Sequence, residues 1–364
     1  MRVASTFSLS FLLIGLTGCG GSIMGLPIDP GVSPLPSRDP AYQTDLQIRY
    51  LGAAGLLIKR GDDSLLTAPF FSNPSIPRVL FGLPIKALPE EIDRFLGPKD
   101  KDDLAPVTAV LVAHAHYDHL MDVPYIKNKF LPKAKIYGSD SMKYTLAGDR
   151  TLKDDDVESV EKRAWSVRDP EFPDTPPEWV YPGPSRRLRF MALKSEHAPV
   201  IFGLKFFEGS YSAPLKELPS NAYGWLEGQT LAYLIDFMSP DGKTVEFRVH
   251  FQDAASTAPL GFPPLFRGRP QDEKRVDVAI VCMPGYSQVK DYPQKIIDRL
   301  KPRFVVITHW ENFFARLPDD PRDLRVVPTT DAERFIAGLQ PVLQRDASFK
   351  MPARGVWLRF APAP

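Results

Sequence analysis

The chain has 364 residues, 43% of them hydrophobic and 24% charged, close to the averages of globular proteins, which excludes a mostly disordered chain and a polytopic membrane protein. A formal net charge of +1 leaves no global field to recruit nucleic acid. The two cysteines exclude a disulfide-dense scaffold and a four-cysteine metal site. The 38 prolines, about one residue in ten against a usual 5%, forecast long stiff loops, and with only 6 histidines their placement carries information.

The N-terminus reads Met1-Arg2, an apolar run from Val3 to Leu16, then Thr17-Gly18-Cys19. One positive charge, a short apolar core and small residues before a cut site describe a secretory signal, too short for an ordinary membrane span. Leu16-Thr17-Gly18-Cys19 resembles the bacterial lipobox, which implies that residues 1–18 are a signal peptide and that Cys19 is lipidated and becomes the first residue of the mature chain. Residues 19–44 are rich in Pro, Gly, Ser and Asp and read as a tether. Gly20 is not the aspartate that retains lipoproteins at the inner membrane in enterobacteria. The expectation is a lipid-anchored envelope protein, on the outer membrane facing the periplasm if the cell has one.

Residues 45–364 read as one domain. Short runs rich in Val, Ile, Leu and Phe, each ending in a polar or Gly/Pro cluster, predict strands at Gln47–Tyr50, Leu56–Lys59, Ser64–Thr67, Val107–Ala113 and Lys135–Tyr137. Five more follow at Leu188–Leu193, Leu231–Phe237, Val245–Phe251, Val276–Cys282 and Phe304–Thr308. Asp241-Gly242 marks a tight hairpin, and Tyr292–Leu300 has the helical spacing of Ile296, Ile297 and Leu300. The pattern predicts α/β layering with helices outside sheets. Three Pro- and aromatic-rich stretches, Ala68–Pro98, Trp165–Pro184 and Pro199–Trp225, read as long loops, either packed over the core or walling a binding site.

Histidine placement decides the chemistry. His114-Ala115-His116-Tyr117-Asp118-His119 holds three of the six histidines directly after a buried run. In an extended segment His114 and His116 point the same way and can bind one ion, while Asp118 and His119 on the following turn can face a second. His197, Asp253 and His309 each follow a predicted strand, and ligands at the carboxyl ends of core strands converge on one sheet edge. Imidazole and carboxylate without thiolate suit zinc, with manganese and iron as alternatives.

The early Leu51-Gly52-Ala53-Ala54-Gly55-Leu56-Leu57-Ile58 hairpin, the histidine motif, and the later histidine, aspartate and histidine in that order resemble the metallo-β-lactamase superfamily, from Ile48 to about Arg345. That resemblance implies a four-layer αββα sandwich with two metals: His114, His116 and His197 on the first ion, Asp118, His119 and His309 on the second, Asp253 bridging. The opening hairpin and the Pro302–Trp310 ending look most like the branch of N-acyl-phosphatidylethanolamine phospholipase D and ascorbate-6-phosphate lactonase. This chain departs from that branch in Leu66-Thr67-Ala68-Pro69, which lacks an aspartate before the proline. It departs again in Leu120-Met121-Asp122 after the motif and in Gln252-Asp253-Ala254-Ala255 around the bridging position.

The function expected is a metal-dependent hydrolase in which a metal-bound hydroxide, oriented by Asp118 and Asp253, attacks a phosphodiester, lactone or other ester. The aromatic and Pro-rich loops suggest an amphiphilic small-molecule substrate, lipid-derived among the options. His250, three residues before Asp253, reads as a hydrogen-bonded strand histidine, with a supporting role behind a ligand as the alternative; Glu311 and Tyr117 are further proton-donor candidates. Cys282 reads as a buried thiol rather than a ligand, which weighs against antibiotic β-lactamase chemistry. Charge balance and export weigh against a nuclease. Two rivals are a non-catalytic envelope lipoprotein keeping the fold as a binding module, and an iron-dependent oxidoreductase of the same fold.

Overall fold

The computed structural model describes residues 21–166, 178–199, 205–266 and 272–362. Cys19 and the expected signal peptide lie outside the described residues. Among the described residues, fourteen strands form two seven-stranded sheets. In chain order they are β1 (Ile28–Asp29), β2 (Leu46–Gly52), β3 (Gly55–Arg60), β4 (Asp63–Thr67), β5 (Val107–Leu111), β6 (Lys135–Gly138) and β7 (Val157–Ser159). They continue with β8 (Leu188–Lys194), β9 (Leu231–Met238), β10 (Val245–Gln252), β11 (Val278–Cys282), β12 (Phe304–Thr308), β13 (Ser348–Pro352) and β14 (Trp357–Phe360). One sheet runs β14-β2-β3-β4-β5-β6-β7, the other β1-β13-β12-β11-β10-β9-β8. With its helices this is the expected α/β sandwich of two sheets.

All ten predicted runs are strands, because central strands buried on both faces must be nearly continuously apolar: β2, β9 and β11 are buried at every position. Four short strands at or next to the sheet edges, β1, β7, β13 and β14, carry mixed sequences such as Val157-Glu158-Ser159 that give no strand signal. Asp241-Gly242 does turn the chain between β9 and β10, with Gly242 at φ +71°. The helix expected at Tyr292–Leu300 spans Gln294–Leu300 and buries Ile296, Ile297 and Leu300.

The loop Ala68–Pro98 holds two short helices, Ile76–Leu80 and Pro89–Phe95. Prolines that read as loop residues, Pro77 and Pro89, stand in their first turns, where a missing N–H costs nothing. Residues 21–44 are not a free tether. They lack long regular elements, as their composition implied, yet Ile28 pairs with Met351 and Val32 N–H donates to the Trp357 carbonyl at 2.8 Å. Leu35 N–H donates to Gln47 Oε1 at 2.8 Å, and Leu35 and Tyr42 are buried. A few spaced apolar residues suffice to lay a Pro-rich segment along an existing sheet edge.

Strand direction positions the site. β10, β11 and β12 are parallel, and β8 and β10 both run antiparallel to β9, so the carboxyl ends of β8, β10 and β12 share one edge of their sheet. β5, parallel to β4 and β6 in the other sheet, delivers its carboxyl end to the same place. The Tyr233 hydroxyl on β9 donates to the Val112 carbonyl after β5 at 2.7 Å, locking the sheets together there.

Candidate metal centre

Each donor arrives on a strand end. His114 follows β5, His116 is the residue before the turn Tyr117–Leu120, and Asp118 and His119 sit in that turn. His197 follows β8, Asp253 follows β10 and His309 follows β12. The structure brings all seven together as three overlapping trios: His114, His116 and His197; His114, His119 and Asp253; Asp118, His119 and His309. Within each trio the donor atoms lie within 4.8 Å of one another. Asp253 spans the two halves, with Oδ1 3.3 Å from His114 Nδ1 and Oδ2 3.1 Å from His119 Nδ1.

The donors fit a divalent cation on two grounds. First, His114 Nε2, His116 Nε2 and His309 Nδ1 are buried without a hydrogen-bond partner, a state that costs about 1–3 kcal/mol per group unless something binds there. Second, the electrostatics ask for positive charge. Burial, then the neighbouring His119, lowers His114 to about 4, and burial with the His114 and His197 charges holds His116 well down. Both rings are therefore neutral with a free lone pair. Burial also pulls on His119, but Asp118 and Asp253 outweigh it and raise it to about 10. A proton on His119 stands where a metal ion would otherwise balance two buried carboxylates. His197 Nδ1 lies 2.7 Å from the Ala198 carbonyl; donating there fixes the tautomer that presents Nε2.

His309 shows how the site is supported from behind. It takes φ +60°, a left-handed conformation costing about 1–2 kcal/mol for a residue with a Cβ. Its N–H donates to the Ala53 carbonyl at 2.9 Å and reaches the Tyr50 hydroxyl oxygen at 3.0 Å. Tyr50 in turn donates to Glu311, whose other oxygen accepts from Ala53 N–H. Glu311 is thus fully engaged beneath His309 and does not line the cavity, so it is not the proton donor the sequence offered. His250 is also turned away: its Nε2 bonds the Gly261 carbonyl at 2.8 Å, not any of the seven donors. Asp122 accepts from Phe71 and Ser72 N–H at 2.8 and 3.0 Å, tying the loop after β4 to the histidine motif.

Over the donors opens a cavity of about 150 Å³. Its walls include Val79, Leu80, Phe206, Phe207, Phe313 and Phe314, together with Tyr117, and among the described residues no Lys or Arg lines it. The long loops therefore divide. Phe70, Phe71 and Trp225 are core residues, whereas Phe206, Phe207 and Tyr223 wall the cavity. Cys282 is buried as expected, and it also lines the cavity, where burial, then Asp253 and Asp118, push its thiol well up.

Imidazole and carboxylate donors cluster at the carboxyl ends of strands from two stacked sheets, an α/β arrangement able to hold divalent metal. Residues 85–204, about a third of the chain, match the Beta-lactamase superfamily domain. Among solved structures, the chain is similar to Igni18, a metallo hydrolase from the hyperthermophilic archaeon Ignicoccus hospitalis, at 14% identity and TM-score 0.47, covering 87% of this chain and 99% of that one. It is similar to the metallo-beta-lactamase fold protein YhfI from Bacillus subtilis at 13% identity and TM-score 0.46, covering 86% and 98%. An isothiocyanate hydrolase from Delia radicum gut bacteria is similar at 14% identity and TM-score 0.46, covering 86% and 99%.

Proposed function

We propose that the chain is a two-metal hydrolase of uncharged, apolar esters or lactones, anchored in the bacterial envelope through lipidated Cys19. His114, His116 and His197 would hold one ion, Asp118, His119 and His309 the second, with Asp253 shared; zinc suits this donor set, manganese or iron being the alternatives. The observation that carries the reading is the coincidence of unsatisfied buried imidazole nitrogens with an apolar cavity opening directly over them. A purely structural metal site would be closed by four donors instead, which disfavours a binding module without chemistry.

Divalent ions there would supply charge to stabilise an oxyanion and would acidify water. The protein supplies the rest. Asp118 lines the cavity with Oδ2 3.3 Å from His119 Nε2 and 3.4 Å from His309 Nε2, so it holds both rings and can accept a proton from water. Tyr117 is the one of the three proton-donor candidates that lines the cavity, and in this reading its hydroxyl would serve the leaving-group oxygen. Phe206, Phe207, Phe313 and Phe314 exclude water and bind an acyl or aryl group. Of the bond types expected, a phosphodiester is the least suited, because among the described residues no Lys or Arg lines the cavity. The superfamily-branch resemblance supplies the ligand order and not the substrate.

The test is metal analysis of periplasmically expressed protein together with a panel of aryl esters, lactones and a generic phosphodiester, comparing wild type with Asp118→Ala and Asp253→Ala. Two equivalents of divalent metal and ester or lactone turnover lost in both variants are expected. No bound metal, one iron per chain, or equal rates in all three proteins would overturn the reading.

A further inference from the structure

The described chain begins beside the cavity. The Gly21 carbonyl accepts from Val326 N–H at 2.9 Å, and a side chain at Gly21 would start 3.6 Å from Val326 Cβ. The residues that follow Val326, Val327 to Thr330, are part of the cavity wall. Cys19 stands two residues before Gly21, and two residues span at most about 7 Å whatever path they take. A bilayer's headgroup layer is about 5–7 Å deep on each side. An acyl group on Cys19 would therefore hold this wall of the cavity against the lipid surface.

A second observation lies elsewhere on the rim. The exposed large apolar side chains among the described residues are Met24, Val32, Phe81, Leu83 and Tyr223. Met24 and Val32 belong to the segment that leads in from Cys19. The other three belong to segments that help wall the cavity. Tyr223 lines the cavity, its hydroxyl donates to the Leu80 carbonyl at 2.8 Å, and its ring lies 5.2 Å from Phe207. Phe81 and Leu83 follow Leu80, with Phe81 67% exposed and Leu83 45% exposed. Arg78 and Lys86 flank them and are exposed. Apolar tips between cations are the pattern of a segment that enters a bilayer interface, where the rings leave water and the cations meet anionic headgroups.

We propose that the mouth of the cavity faces a lipid bilayer, oriented by the anchor at Cys19, with Phe81 and Leu83 inserted into the headgroup and upper acyl region. Substrate would then pass from the membrane into the cavity without crossing water. This orientation does not rest on hydrolysis. It predicts which face of the domain is wet.

The experiment uses the full chain processed in bacteria, with acylation of Cys19 established by the mass of the mature protein. An environment-sensitive fluorophore is attached at Leu83→Cys and, as a control on the β9–β10 turn, at Lys243→Cys; native Cys282 is buried and gives the labelling blank. In vesicles of phosphatidylethanolamine and phosphatidylglycerol the probe at 83 is expected to shift to the blue and to be quenched by spin-labelled lipid, and the probe at 243 to do neither. In a chain carrying Cys19→Ser, adding Phe81→Asp and Leu83→Asp is expected to weaken vesicle partitioning at least tenfold with an unchanged melting curve, since both side chains are exposed. A mature chain without an acyl group, equal spectra at 83 and 243 in vesicles, or a blue shift at 83 in the absence of lipid, which would reveal a second protein copy on this surface, would each overturn the proposal.

Discussion

The same three strands carry buried charge at both ends, and the two ends are built on opposite principles. Away from the site, Asp236 on β9 accepts from Arg189 on β8 and Arg248 on β10, through contacts of 2.7–3.1 Å. Arg189 also reaches Asp272 at 2.6 Å, and Arg248 donates to the Asp272 and Lys274 carbonyls. The Arg189 guanidinium lies over Trp179 and that of Arg248 near Phe266. At the other end of these strands, His197 and Asp253 join a cluster whose imidazole nitrogens lack partners and face a cavity. Burial of charge alone does not mark a functional site; the informative difference is that one cluster is closed and the other is left open for a ligand.

The strongest way to break that contrast is to remove what the open cluster is built for. Stripping divalent metal with a chelator, or Asp253→Ala, is expected to lower ester or lactone hydrolysis by about a thousandfold, the several kcal/mol that metal charge contributes to such transition states. Stability should move little by comparison, because Asp253→Ala also removes a buried carboxylate. The closed cluster should answer in reverse. Asp236→Ala leaves two buried guanidinium groups without their carboxylate and is expected to cost about 3–5 kcal/mol. In urea unfolding its midpoint should collapse while kcat of the folded fraction stays within a factor of two or so of wild type. If Asp236→Ala abolished activity in protein that remained folded, the division between the ends would be wrong.

The strand cores and the seven side chains that the fold brings together are legible in the sequence for the same reason. Both are local: a strand buried on both faces is mostly apolar, and the seven side chains follow such strands within a few residues, Asp118 and His119 in the turn after β5. What the sequence concealed depends on distant partners. Nothing near Glu311 signals that Tyr50 and Ala53 consume its carboxylate, since the contact spans 261 residues. Phe70 and Phe207 look alike in Pro-rich loops, yet one is core and the other wall, because only the folded loops decide which aromatic meets a gap. The docking of residues 21–44 was hidden because the few apolar side chains involved are spaced too irregularly to form a periodic signal.

Between open and closed stands Asp122. Its Oδ2 accepts two backbone N–H groups while Oδ1 is buried without a partner. Burial raises it from 3.8 to about 6. Below pH 3.8 it is neutral in folded and unfolded chains alike. As pH rises from there through about 6, the unfolded chain loses a proton that the folded chain retains, so this group's contribution to stability falls, by pH 7, on the order of 2–3 kcal/mol. Asp122→Asn keeps an oxygen for Phe71 and Ser72 and removes the ionisation. It is expected to be more stable than wild type at pH 7, on the order of 1–2 kcal/mol, and equal to it near pH 4, as read from urea midpoints. An identical pH profile in the two proteins would show that Asp122 is not held in its neutral form by burial.

The smallest effect expected is at Tyr50, where the closed and open principles meet. Its hydroxyl joins the fully paired Glu311 to the backbone of His309, a donor of the open cluster held at positive φ. Tyr50→Phe removes the hydrogen bond to Glu311 and the one accepted from His309 N–H, together about 1–2 kcal/mol, while the ring stays in the core. His309 N–H keeps the Ala53 carbonyl, so the fold should survive. What should change is the precision with which His309 is presented, and with it affinity for the ion shared with Asp118 and His119, by about five- to tenfold in chelator competition. Binding of the ion proposed for His114, His116 and His197 should be unaffected. Weakening of both ions equally would mean that Tyr50 supports the sandwich as a whole, and that the boundary between supporting network and metal cluster lies closer to the donors than His309.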